Sequence, residues 1–473
     1  MNEDYRIGAA SGANSNPKAF LTPMGALALS FGYAVGWGAF VMPGNVFLPG
    51  SGPLGTVAGI LIGAAVMAVL ALNYHRLVLR APGPGGAYGF VAKVFGPDHG
   101  FLVAWFLCLT YVAILWANAT ALVLLARFVF GNALQFGFHY TMVGFDVYFG
   151  EVLLSVSAIV VCAAVCLCSK RLAAALNAFL AYAMLAGVLT CFAAALLRHE
   201  GGMASMAPAF APDGSPTLEI LRTLAMIPWA FVGFEAIVHS SGEFKFRGKL
   251  TLPILLAAIA ISALLYSLLV LLPVLALPEG YSSWPAYIGH LQYLDGIQSV
   301  PVFSAATKVL GRAGMAVAGG SMLAGQLTAL FATFIATSRL MRAMSLDGIL
   351  PKRFAELNRD GNPANAILFI AGISLAVPFL GRTVIGWPVD VSSLGAAVAF
   401  CYVSAAAFAV ARSSEKRKEP IARLAGLFGF VMSIVFCLLM IVPNYISGEY
   451  TRNTTWLCAS LERKRNSSGT RLQ

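Results

Sequence analysis

The sequence predicts an all-α polytopic membrane protein of about eleven transmembrane helices, and three observations carry that reading. The first is composition. Of 473 residues, 59% are hydrophobic and only 11% charged, whereas a soluble domain carries about a quarter charged residues because its surface meets water. The second is continuity. Between Gly150 and Leu197 the only ionisable residues besides cysteines and Tyr182 are Glu151, Lys170 and Arg171. That leaves two apolar runs of roughly 20 residues, each able to span about 30 Å of hydrocarbon. Uninterrupted runs are not alternating strands, and only helices or closed barrels satisfy their backbone in lipid.

The third observation is where the charge lies. Apolar spans fall near residues 24–48, 53–79, 100–130, 151–168, 173–197, 219–241, 252–277, 313–338, 364–380, 389–411 and 424–447. With the amino terminus placed in the cytoplasm, 20 Lys and Arg residues fall on that side and 6 on the other, before the tail. This is the cationic bias that orients membrane helices. The net charge of +11 therefore reads as topology and not as a nucleic-acid surface, since no soluble segment is long enough to present one. Met1–Phe20 has no apolar core of a signal peptide, so the first span is expected to insert directly. The chain then divides into a cytoplasmic tail (1–23), a core of ten spans (24–412), an eleventh span with its loop (413–447) and a basic tail (448–473).

Two spans are interrupted. The first holds Gly32, Gly36 and Gly38 and ends in Met42-Pro43-Gly44; the sixth reads Ile227-Pro228-Trp229-Ala230-Phe231-Val232-Gly233-Phe234-Glu235. Glycine weakens a helix by about 1 kcal/mol relative to alanine, and the sixth span opens a second group of five. Paired interruptions at matching positions of two halves point to an inverted-repeat transporter. Unwound backbone at membrane depth is tolerated only where it lines a cavity or meets a ligand. Its freed N–H groups suit a carboxylate and its freed carbonyls suit an ammonium, which together match an amino acid zwitterion.

These residues carry a resemblance. The sequence resembles members of the amino acid–polyamine–organocation superfamily, the amino-acid permeases. Gly36-Trp37-Gly38-Ala39-Phe40-Val41-Met42-Pro43-Gly44 is similar to the family's helix 1 pattern, and Pro82-Gly83-Pro84-Gly85-Gly86-Ala87-Tyr88 to its segment after helix 2. Phe231-Val232-Gly233-Phe234-Glu235 resembles its helix 6, and Ser338-Arg339 through Asp347-Gly348-Ile349-Leu350-Pro351 its helix 8 exit. The resemblance implies a five-plus-five inverted repeat with discontinuous helices 1 and 6 around a midplane site. It implies a secondary transporter of amino acids or related amines, working by alternating access as a symporter or antiporter. The substrate site it implies comprises Gly36, Trp37, Gly38, Asn118, Trp229, Phe231, Gly233 and Phe234, with Trp229 closing over the substrate and Asn118 matching a helix 3 asparagine of arginine–agmatine antiporters.

Departures accompany it. Trp37 stands where many relatives carry serine, Arg76 where they often carry an acid, and Leu180–Met184 holds no lysine of the kind some proton-coupled relatives use. Glu235 is then the candidate for proton coupling, because burial disfavours a lone carboxylate; His239, four residues on, shares its face if the helix resumes as α. The family's usual twelfth span is missing.

Other patterns carry less. Gly50-Ser51-Gly52-Pro53-Leu54-Gly55 fits a dinucleotide fingerprint only as letters, with no strand before it. Cys166 and Cys168 have no neighbouring histidine or second pair, so no metal and no cofactor is expected. No hydrolase or kinase pattern appears, and the chain reads as a non-enzyme. A membrane sensor with the same pocket is the alternative, weakened by the lack of a soluble output domain. The expected partners are an amino acid or amine, protons, the lipid of the cell membrane and, as one arrangement, a second copy of the chain.

Overall fold

The computed structural model describes residues 19–80, 85–142, 145–198, 206–211, 215–294, 296–413 and 419–441. Most of the amino-terminal tail, Pro82–Pro84 of the loop motif and the basic carboxy-terminal tail lie outside the described residues. The chain begins with α1 (Pro23–Ala34), α2 (Gly38–Met42), a π-helical turn (Pro43–Phe47), α3 (Leu48–Arg80), α4 (Ala87–Phe95) and α5 (Pro97–Phe130). An antiparallel hairpin follows, β1 (His139–Met142) with β2 (Phe145–Tyr148), His139 opposite Tyr148. After it come α6 (Phe149–Cys168), α7 (Lys170–Arg198), α8 (Pro216–Ala225), α9 (Ile227–Phe231) and a 3-10 segment, Ala236–Glu243. The second half holds α10 (Thr251–Leu275), α11 (Trp284–His290), α12 (Pro301–Leu310), α13 (Arg312–Leu346), α14 (Ala364–Ser374), α15 (Gly386–Ser413) and α16 (Pro420–Ile441).

Among the described residues, nine helical runs are long and apolar enough to cross a bilayer, and Pro216–Ala225 with Ile227–Glu243, bent by 47°, makes a tenth. One of the nine, Gly38–Arg80, is 43 residues long. At 1.5 Å per residue that is about 65 Å, twice a hydrocarbon core. Gly52, at φ 63° and ψ 177°, turns the chain within it, with Pro53 following. The run is therefore the end of a broken first span joined to the whole second span, and the spans so divided number the eleven that the sequence predicts.

Burial sorts the helices into an inner and an outer set. In α13 and α5, 67% and 61% of the apolar window is buried, against 28% in α7 and 33% in α16. The sequence explains the contrast. α13 carries Gly319, Gly325, Gln326, Thr328 and Thr333 on buried positions, where small and polar side chains let backbones approach and bond across helices. α7 and α16 instead turn Phe179, Leu189, Leu424 and Leu438 outward, as faces that an apolar surrounding would cover.

On the side of the cation-rich loops, the family-like motifs interlock. Tyr88, opening α4, donates its hydroxyl to Asp347 at the end of α13; burial, then the adjoining carboxylate, hold this phenol well above its ordinary range. Phe20 and Leu21 give their N–H groups to the Glu243 carbonyl, and Lys245 returns one to Leu21. The Glu243 carboxylate holds Lys170 at 3.3 Å and Arg339 at 2.5 Å, with Phe20 beneath the Arg339 guanidinium at 4.9 Å. The segment before the first span is thus strapped to the end of the sixth by cations of α7 and α13. Tyr88 and Gly85 of the loop motif meet this end through Asp347 of the α13 exit and His239 after the sixth-span break.

Candidate functional site

Thr22 caps α1 through its side chain, with Pro23 in the first turn, and the helix stops at Ala34. The chain restarts tightly, Ala39 and Phe40 donating to the carbonyls of Gly36 and Trp37. A restarted helix leaves its first N–H groups without internal partners. One of them, that of Trp37, is taken by the Asn118 side-chain oxygen at 3.1 Å, while the Asn118 amide nitrogen donates to Ile114 within α5 at 2.9 Å. Gly36 makes this approach possible: a Cβ there would stand 2.7 Å from the Asn118 oxygen. Carbonyls at the end of α1 are used as well, that of Gly32 by the Thr328 hydroxyl and that of Ala34 by the Tyr266 hydroxyl.

The sixth span breaks four residues after Trp229. Gly233 has φ 102°, a region that favours glycine, and the chain continues as the 3-10 segment. The condition for Glu235 and His239 to share an α-helical face is therefore not met. At three residues per turn, Glu235 and His239 do not share a face; the hydroxyl of Tyr111, from α5, bridges them instead, 2.9 Å from Glu235 and 3.0 Å from His239.

The two breaks face each other. A Cβ on Gly38 would meet the Trp229 ring at 2.4 Å, and one on Gly233 would meet the Tyr33 ring at 2.7 Å. Between them lies a narrow cavity, lined by Gly36, Trp37, Gly38, Asn118 and Trp229 among the residues predicted from sequence. Three predicted residues stand away from it. Phe231 and Phe234 are wholly buried, packing on Tyr266 and on Tyr74 with Phe400, and Gly233 sits behind Tyr33. The helical period explains the division in α9: Trp229 and Val232 are three apart and line the cavity together, while Phe231 is turned by about 200° from Trp229. Glu235 also lies off the cavity, its second oxygen accepting the Gly233 N–H at 3.0 Å.

Sequence reasoning did not reach Tyr266 of α10, nor Pro388, Val389 and Ser392 of α15, which are among the other lining residues. Pro388, just before the tenth span, was the one available signal.

Comparison with known proteins agrees with this architecture. Residues 21–461 match the family model described as amino acid permease. The chain belongs to the amino acid permease family. This permease is similar to the branched-chain amino acid permease BcaP of Lactococcus lactis subsp. cremoris, 25% identical over 90% of this chain and 91% of the relative. It is also similar to the amino-acid permease RocC of Bacillus subtilis, 23% identical over 89% of each chain. The methylthioribose transporter of the same organism is 26% identical over 80% of this permease and 78% of its own length. It is a multi-pass membrane transporter of small molecules of the amino acid class.

Proposed function

We propose that this permease is a secondary active transporter that moves neutral amino acids by alternating access between its two broken spans. The observation that carries the neutral preference is the lining of the cavity, which among the described residues includes no Asp, Glu, Lys, Arg or His. A zwitterion brings its own balanced charges, and the restarted α2 and the stopped α1 offer N–H and carbonyl groups to match them. A cationic side chain would enter with nothing to pair it, at a cost of several kcal/mol. Ile114, Val232 and Val389 offer it only apolar contact.

In this reading the substrate carboxylate takes the Trp37 N–H in place of the Asn118 oxygen, and Trp229 covers the substrate from the sixth span. Gly36, Trp37, Gly38, Asn118 and Trp229 are the binding residues. Phe231, Gly233 and Phe234 hold the break in place. The cation-rich side faces the cytoplasm of the cell membrane, so the strap at Glu243 closes the inner mouth. Counterflow of labelled leucine in proteoliposomes tests the proposal. Exchange is expected with leucine, valine and alanine, and a vesicle that binds leucine without exchanging it would overturn transport.

A further inference from the structure

The hydrogen bonds around Glu235 constrain how many protons the group can hold. His239 Nδ1 lies 3.1 Å from the Gly85 carbonyl, which only accepts, so Nδ1 carries the proton. Glu235 Oε2 already accepts the Gly233 N–H, which leaves Oε1 to face the Tyr111 hydroxyl at 2.9 Å. That hydroxyl also lies 3.0 Å from His239 Nε2 and has one proton to give.

Two arrangements satisfy every atom. In one, a protonated Glu235 donates to Tyr111 and Tyr111 donates to a neutral His239. In the other, a protonated His239 donates to Tyr111 and Tyr111 donates to the Glu235 carboxylate. Both hold one proton more than a carboxylate with a neutral imidazole. Without that proton, two lone pairs face each other in a buried site, where an unsatisfied polar atom costs most.

We infer that Glu235, Tyr111 and His239 form a proton relay that passes one proton between Glu235, at the break in the sixth span, and His239, beside the Gly85 carbonyl at the cytoplasmic end. The inference rests on the transport reading and deepens it. The step is two linked transfers. The Oε1–H bond of Glu235 breaks as that proton bonds to the Tyr111 oxygen, while the phenol's former proton leaves for His239 Nε2. The phenol ends neutral, the carboxyl as a carboxylate and the imidazole as an imidazolium.

The surroundings leave this proton as the group's charge balance. From the first and second spans, Tyr33 and Tyr74 stand near Glu235, the Tyr33 hydroxyl bonded to Thr333 of α13. Among the described residues no Lys or Arg is hydrogen-bonded to any of the three. The relay also touches the substrate site. A charged Glu235 holds the Gly233 N–H more strongly than a neutral one does, and Val232, next in the chain, lines the cavity.

Infrared difference titration of the full chain in lipid tests the relay, with the carboxyl band assigned by Glu235→Gln and the imidazole band by His239→Gln. Both bands are expected to move at one common pH in the natural protein and at separate values in Tyr111→Phe. Independent titration in the natural protein would overturn the relay. Transport gives the second arm. One proton per substrate down a one-unit pH gradient supports about tenfold accumulation. Tyr111→Phe should lose that accumulation while keeping counterflow at symmetric pH. Accumulation that persists in Tyr111→Phe, or that ignores the gradient in the natural protein, sinks the coupling role. Absent counterflow in the natural protein would instead sink the transport reading, with the titration still deciding the relay. Should Tyr111→Phe fail to fold, the natural protein's titration decides alone.

Discussion

Gly38→Ala places a methyl group where the Trp229 ring now lies. The added carbon would stand 2.4 Å from Cη2 and 2.5 Å from Cζ2 of the indole, against roughly 3.5–4.0 Å for carbons in contact. The ring must retreat by more than about 1 Å, on a side chain already packed edge-on against Tyr266. Overpacking of this kind typically costs about 1–3 kcal/mol. If Trp229 must lie over the first break when substrate is bound, the strain falls on that state, and affinity drops by roughly 5- to 150-fold. The assay is KM for leucine counterflow in proteoliposomes, with thermal unfolding run alongside. Trp229→Phe removes both clashing atoms, so the double variant should recover most of the loss, with a coupling of about 0.5–3 kcal/mol in the cycle. An unchanged KM in Gly38→Ala, or strictly additive effects in the double variant, would refute the idea that these two residues close on one substrate.

Other perturbations follow from the same geometry. Asn118→Ala leaves the Trp37 N–H of the empty site without its partner, a loss of about 1–3 kcal/mol that a bound carboxylate on that N–H makes good; KM should fall by about tenfold, and an unchanged value removes Asn118 from the site. Trp229→Ala should raise KM or slow turnover, whereas Trp229→Phe alone should retain much of both, and normal kinetics in the alanine variant at equal expression would contradict the covering role. Glu243→Gln removes the carboxylate charge that Lys170 and Arg339 share. Its side chain is 22% exposed, so the loss should fall between the roughly 1 kcal/mol of a surface pair and the roughly 3–5 kcal/mol of a buried one, read as a lower midpoint of thermal unfolding; an unmoved midpoint would mean the strap holds nothing. For orientation, Asn358 is a poor place for a reporter cysteine, since its side chain holds the Leu167 carbonyl and two loop N–H groups. A cysteine at exposed Arg359, with the native cysteines replaced, should resist an impermeant thiol reagent in intact cells, and labelling there would invert the topology.

The spans and both breaks were legible because they depend on local chemistry. Continuous apolar runs, Gly36 with Gly38, and Pro228 with Gly233 each act on the backbone where they stand. Legibility ended where distant segments decide the outcome. Nothing near Tyr111 announces that its hydroxyl sits between Glu235 and His239, more than a hundred residues away. Pro388 and Val389 reach the cavity only because α15 packs beside α9 and α5. Phe231 and Phe234 show the converse. They belong to a motif whose neighbours line the cavity, but the helical period and the turn at Gly233 aim them into the core. The resumption of the sixth span as a 3-10 segment follows from tertiary bonds to α5 and the Gly85 loop, which a local pattern does not contain.

The proposed site is an uncharged cavity between two broken spans, suited to a neutral amino acid. Counterflow of labelled leucine in proteoliposomes, competed with unlabelled valine, alanine and arginine, tests it most directly. Stranding an unpaired charge in that cavity costs several kcal/mol, so arginine should fail to compete even at about a hundredfold excess, while valine and alanine suppress exchange. Preferential suppression by arginine would contradict the account.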